Sequence, residues 1–160
     1  LTCLELIRQQ DEVQFIWQTG SFYKNEIADA LRRAGKPENL IVTDFIADMG
    51  AAYTVADLVI SRAGAGSISE FCLLGKPVIL VPSPNVAEDH QTHNAMALVR
   101  KDAAVLVKDV DAHDMLIATA LTLIHDEQRL TTLQRNILTL ALPDSARIIA
   151  AEVMKLAKKQ

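Results

Sequence analysis

Apolar residues in this chain gather in short unbroken runs, separated by stretches in which they recur every three or four positions. The runs are VQFIW at 13–17, LIVTDFI at 40–46, DLVIS at 57–61, PVILVP at 77–82 and AAVLVK at 103–108. Runs of this length without apolar–polar alternation predict strands buried on both faces, as in a parallel sheet covered by helices on either side. Between them, Tyr23, Ile27, Leu31 and Ala34 share one face of a helix over 22–34 that Gly35 would stop. Asp48 is placed to cap a short helix carrying Met49, Ala52, Tyr53 and Ala56. A third helix runs over 67–74 and ends at Gly75 and Pro77.

Before the first run, Leu1, Leu4 and Ile7 have helical spacing, so the chain opens in a helix and reads as a cut within a longer protein. From Asp111 onward the pattern is helical throughout, with Leu121 and Ile124, then Leu130, Leu133, Ile137 and Leu140. A break at Pro143 precedes a last helix, capped by Asp144 or Ser145, that carries Ile148, Ile149, Val153 and Leu156 and ends in KLAKKQ. That positive end suits a helix C-terminus and reads as a solvated terminus. The class predicted is α/β, a doubly wound, Rossmann-like parallel sheet forming one domain over 1–160.

Composition narrows the partners. Sixteen basic residues against twenty acidic give a net charge of −4, with no basic run to track phosphates along a nucleic acid. Nucleic acid is therefore not an expected partner. The apolar runs fall far short of the roughly 20 residues needed to span a bilayer. Cys3 and Cys72 lack metal-ligand or redox spacing, and Cys72 in an apolar helical stretch reads as a buried thiol in a reducing, cytoplasmic setting.

The stretch SRAGAGSISE at 61–70 interrupts this pattern at a strand-to-helix corner, where ligands of open α/β sheets bind. Gly64 and Gly66 lack the Cβ atoms that would block close approach, and the unpaired N–H groups that open the next helix favour an anion such as phosphate. The same letters also admit a reading without a ligand. Ser67 and Glu70 match the S-x-x-E capping box, which satisfies those N–H groups internally. Two histidines, His90 and His93, lie one helical turn apart, which alone does not make a zinc site. Asn94 reads as a cap or brace for its own helix.

The ordered series VTDFIADMGAAYTVADLVISRAGAGSISEFCLLGKPVILVPSPNVAEDHQTHNAMALV, residues 42–99, closely resembles the donor half of the MurG family of UDP-N-acetylglucosamine transferases of peptidoglycan synthesis. FIWQTG before it and LPDSARIIAAEVMKLA after it fall where that family has comparable segments. The resemblance implies the C-terminal half of a two-domain, GT-B-type inverting glycosyltransferase, in which UDP-N-acetylglucosamine is the donor and lipid I the acceptor, giving lipid II. It implies that Ile46 meets the uracil through its backbone. Gly64, Ala65, Gly66, Ser67 and Ile68 supply N–H groups to the diphosphate, with Ser69 in the same turn, and Glu70 accepts from the ribose hydroxyls. Arg62 would steady the turn or add charge, and His90 and Gln91 would lie by the sugar.

The resemblance further implies no cofactor and no metal, and no catalytic residue in this chain. The acceptor base and any membrane contact would belong to an N-terminal domain, which would hold the full-length enzyme peripherally on the inner face of the plasma membrane. It also implies that a central strand with a glycine-serine loop, lying between the strands at 13–17 and 57–61, precedes residue 1. A different acceptor, a UDP-sugar epimerase or a non-enzymatic nucleotide-binding module are the alternative readings.

Overall fold

The computed structural model describes residues 3–84 and 89–157. Leu1, Glu88 of the EDHQTHNA segment and the terminal residues 158–160 lie outside these. Helices and strands alternate: α1 (Cys3–Arg8), β1 (Phe15–Gln18), α2 (Gly20–Ala34), β2 (Leu40–Thr43), α3 (Met49–Val55), β3 (Val59–Ser61), α4 (Ala65–Leu74), β4 (Val78–Leu80), α5 (His90–Val99) and β5 (Val105–Leu106). Three helices follow, α6 (Asp109–Ile124), α7 (Glu127–Leu138) and α8 (Ser145–Ala157).

Every strand pair is parallel, as the unbroken apolar runs predict. β1 pairs with β2, Phe15 opposite Leu40 through Gln18 opposite Thr43. β3, β4 and β5 form a second sheet in that order. Among the described residues no ladder joins the two, so β1 and β3 each have one hydrogen-bonded neighbour.

The second sheet fits its sequence best at β4, where Val78, Ile79 and Leu80 are all fully buried. Val78 and Leu80 point into a cluster with Phe71 and Cys72 of α4, Ala95 and Leu98 of α5 and Ile137 of α7. Ile79 and Val81 point the other way, onto Ala120 and Leu123 of α6 and Leu133 of α7. Successive residues of a strand face opposite sides, so this strand needs apolar residues at every position. Burial raises the pKa of the Cys72 thiol, which keeps it in its neutral form.

The first sheet departs from the expectation of two covered faces. Leu4 and Ile7 of α1 and Leu31 of α2 pack with Leu40, Phe15 and Val42 on one side. On the other side the register partners Ile16 and Ile41 are 48% and 57% exposed. The apolar cluster drawn from α1, α2 and α6 lies on the Leu40 face. On α2, Ile27 and Leu31 pack inward as predicted, whereas Tyr23 is half exposed and stacks edge-on to Phe22 with ring centroids 4.8 Å apart.

Helix boundaries follow their caps. Asp48 accepts the Ala51 N–H at 2.9 Å and starts α3, and Gly75 closes α4 in the left-handed conformation that glycine tolerates, φ 64°. Pro143 lies just before α8, whose Ile148, Ile149, Val153 and Leu156 are all more than half exposed. No described helix is long and apolar enough to cross a membrane.

Candidate functional site at the start of α4

The SRAGAGSISE segment turns from β3 into α4 without a side-chain cap. Its N-cap is Gly64, not Ser67, and the helix begins at Ala65, two residues earlier than the sequence pattern predicts. The first helical bond is Ile68 N–H to Gly64 O at 3.0 Å, so the N–H groups of Ala65, Gly66 and Ser67 lie ahead of it, the unpaired donors of a helix start. The capping box is therefore not formed: Ser67 already lies inside the helix, and Glu70 bonds elsewhere. The Ile68 N–H, expected at the diphosphate, is used by the helix here. The Ser69 hydroxyl donates to Ala65 O at 3.0 Å, one turn back.

The glycines at this corner have no internal explanation. Gly64 has φ −69° and ψ 140°, ordinary extended backbone open to any residue. A Cβ built on Gly64 or Gly66 would meet nothing within 4 Å. Neither strain nor packing within the described residues calls for glycine at either position. What the two glycines do is leave the donors at the helix start uncovered on their open side, where the dipole adds partial positive charge.

The corner is braced by α5. Gln91 Oε1 accepts from Ala63 N–H at 3.1 Å and from Ser83 N–H at 2.9 Å, tying the ends of β3 and β4 to one side chain. With its oxygen so committed, its amide NH2 keeps two donors for another partner. Asn94, expected to cap or brace its own helix, donates its Nδ2 to Ala63 O at 3.1 Å and so braces the glycine turn. Arg62 pairs with Asp109 at the start of α6 and reaches Val81 O at 3.3 Å. His90 is the first residue of α5 and is exposed, and Asp89 before it is left-handed at φ 53°.

Two further contacts involve predicted residues. Ile46, on the loop after β2, donates its N–H to Gln18 Oε1 at 2.9 Å. The donor expected to meet a base is thus held by the last residue of β1. Glu70 Oε2 accepts the Tyr53 hydroxyl of α3 at 3.0 Å. Burial, then the bond to Glu70, pushes the Tyr53 pKa up to about 12, so the phenol is a proton donor throughout the physiological range. The structure thus links 62–70 with Gln91 directly, whereas Ile46 stands in a separate network centred on Gln18.

Sequence reasoning passed over Gln18, Tyr53 and Asp109 as polar partners. Gln18 ends an apolar strand run, a position where a polar side chain faces the ligand edge of such a sheet. Tyr53 carries no such signal, since its spacing suits a core-facing helix position equally well.

The description "Glycosyltransferase family 28 C-terminal domain" fits residues 1–149. The chain belongs to this family. It is 63% identical over 156 residues, 98% of its length, to the UDP-N-acetylglucosamine--N-acetylmuramyl-(pentapeptide) pyrophosphoryl-undecaprenol N-acetylglucosamine transferase of Bacteroides fragilis. The protein of the same name from Bacteroides thetaiotaomicron is 61% identical over 157 residues. The chain spans 41% and 42% of the lengths of these two relatives. Among solved structures, MurG of Acinetobacter baumannii superposes with a TM-score of 0.78 at 30% identity, covering 93% of this chain and 43% of that one. The Rossmann-like parallel α/β class read from the apolar runs is the fold of this family 28 domain.

Proposed function

We propose that residues 1–160 are the UDP-N-acetylglucosamine-binding domain of a longer, inverting N-acetylglucosaminyltransferase that acts on lipid I and yields lipid II. The observation that carries the reading is the uncapped start of α4, whose glycines face open space and whose donors precede the first helical bond. The names of relatives at 61–63% identity support the substrate pair.

In this reading the N–H groups of Ala65, Gly66 and Ser67, with the Ser67 hydroxyl, hold the diphosphate. They bind most strongly as charge builds on the leaving UDP, when the acceptor hydroxyl displaces it at the anomeric carbon. Glu70 takes the ribose hydroxyls, Gln91 and His90 take the sugar, and Ile46 takes the uracil after Gln18 has released its N–H. Arg62, already paired with Asp109, holds the turn in place. The acceptor base and the surface that meets the membrane lie in the other domain, which keeps the whole enzyme on the cytoplasmic face of the membrane.

The test is turnover by the full-length protein. Transfer of N-acetylglucosamine from its UDP donor to a lipid I analogue, with no transfer to simple saccharides and no epimerisation of the donor, is the expected result. Epimerisation, or preference for another acceptor, would redirect the assignment to a sister enzyme of the same architecture.

A further inference from the structure

Glu70 is an exposed side chain on α4, and a free glutamate there samples several rotamers. Ordering such a side chain on a ligand costs up to about 2 kcal/mol. Here the cost is met before any ligand arrives, because Tyr53 Oη already holds Glu70 Oε2 at 3.0 Å.

The phenol that does this is itself fixed. Its ring is half-buried and packs against the cluster beneath α4, edge-on to Phe71 with centroids 5.8 Å apart and planes at 89°. Phe71 is 1% exposed and is the residue next to Glu70 in the chain. The neighbouring residues Glu70 and Phe71 are thus both engaged by one tyrosine, the first by its hydroxyl and the second by its ring. A hydroxyl has one proton to give, and a carboxylate has about four acceptor sites. Oε1 and most of the lone pairs therefore remain open toward solvent, on the same helix as the uncapped donors.

We infer that Tyr53 is a positioning residue for nucleotide selection: it presents the Glu70 carboxylate, with Oε1 outward, to the vicinal hydroxyls of a ribose, and so sets the preference for ribonucleotide over deoxyribonucleotide donors. This rests on the reading of Glu70 as the ribose acceptor. It goes beyond that reading by assigning the discrimination to a residue that touches no substrate.

The experiment is calorimetric titration of the full-length protein with UDP and with 2′-deoxy-UDP, for the native sequence, Tyr53→Phe, Glu70→Ala and the double variant. Tyr53→Phe keeps the ring on Phe71 and removes only the hydroxyl. The ratio of the two affinities is taken within each variant, so a fall in thermal stability does not affect it. The native protein is expected to prefer UDP, and Glu70→Ala to erase the preference. Tyr53→Phe should reduce the ratio about 3- to 10-fold, the size of one net intramolecular hydrogen bond, with 2′-deoxy-UDP, which offers Glu70 only its 3′-hydroxyl, weakened less than UDP. Adding Tyr53→Phe to Glu70→Ala should change nothing further. If Glu70→Ala erases the preference and Tyr53→Phe keeps it whole, Tyr53 is only a packing residue and the inference falls alone. Equal weakening of both ligands by Tyr53→Phe overturns it too. If Glu70→Ala retains the preference, the ribose role of Glu70 falls, and the inference with it.

Discussion

Replacing Gly66 by alanine separates stability from binding, because the two are expected to move in opposite directions. Gly66 is the second residue of α4, its backbone is not left-handed, and an added Cβ meets nothing within 4 Å. Folding therefore has no reason to suffer. Alanine in a helix is favoured over glycine by up to about 1 kcal/mol, so the thermal midpoint should hold or rise by a few degrees at most. A diphosphate oxygen, by contrast, must come to about 2.9 Å from an amide nitrogen in this turn. A Cβ at Gly66 would project into the space left open beside these donors, where it would crowd the diphosphate itself and weaken one or two charge-assisted bonds worth about 1.5–3 kcal/mol each. UDP affinity of the full-length protein should fall at least 10-fold, and more for UDP than for uridine. Calorimetry with UDP, UMP and uridine, beside a thermal scan, reads both quantities. Unchanged UDP affinity in a variant of undiminished stability would refute the assignment of the α4 start as the diphosphate cradle.

Other outcomes follow from single contacts. Gln18→Met removes the acceptor that holds Ile46 N–H, so UDP binding should tighten a few-fold while the loop after β2 loses hydrogen-exchange protection; weaker binding would mean that Gln18 serves the base rather than competing with it. Addition of a chelator should leave UDP affinity untouched, since helix donors carry the diphosphate charge in this reading; a loss of affinity on chelation would count against it. Arg129, bonded to Asp102 at 2.7 Å, holds the Asp102 carboxyl below its ordinary range. Its folded pKa lies below the unfolded value, so the contribution is present above about pH 4 and is lost as pH falls through the lowered pKa. Thermal midpoints of the native protein and Asp102→Asn should differ near neutrality and converge in acid; a constant gap would show that the ion pair is not the cause.

The strands were legible because burial on two faces leaves an unmistakable mark, and β4 with Val78, Ile79 and Leu80 is the clearest case. α3 was legible by its start at Asp48 and α4 by its stop at Gly75, each of which does one local job. The start of α4 was not, because Ser67-Ile68-Ser69-Glu70 satisfies a capping rule that the backbone does not use. The helix began two residues sooner, and that shift moved Ser67 inside and freed Glu70 for Tyr53. Contacts made by side chains far apart in sequence, Gln18 with Ile46 and Gln91 with Ala63 and Ser83, carry no local periodicity and become visible only once the strands are side by side. The exposure of Ile16 and Ile41 was invisible for the opposite reason, since a strand's letters report the burial it is suited to and not the cover it has.

That uncovered face bears on how the domain comes apart. Backbone ladders are what make neighbouring strands melt together, and none runs between β1 and β3 among the described residues. The first sheet is held to the rest through side chains instead, where Ile117 of α6 packs onto the cluster of Leu4, Ile7, Leu31 and Leu40. Among the described residues the two sheets therefore meet through side chains, and the lane between β1 and β3 is where the strand that the family resemblance implies would fit. Ile46 and Gln18 stand on the first sheet and the α4 turn on the second, so a nucleotide bridging them would act as a staple, adding a tie between two sheets that no described ladder joins.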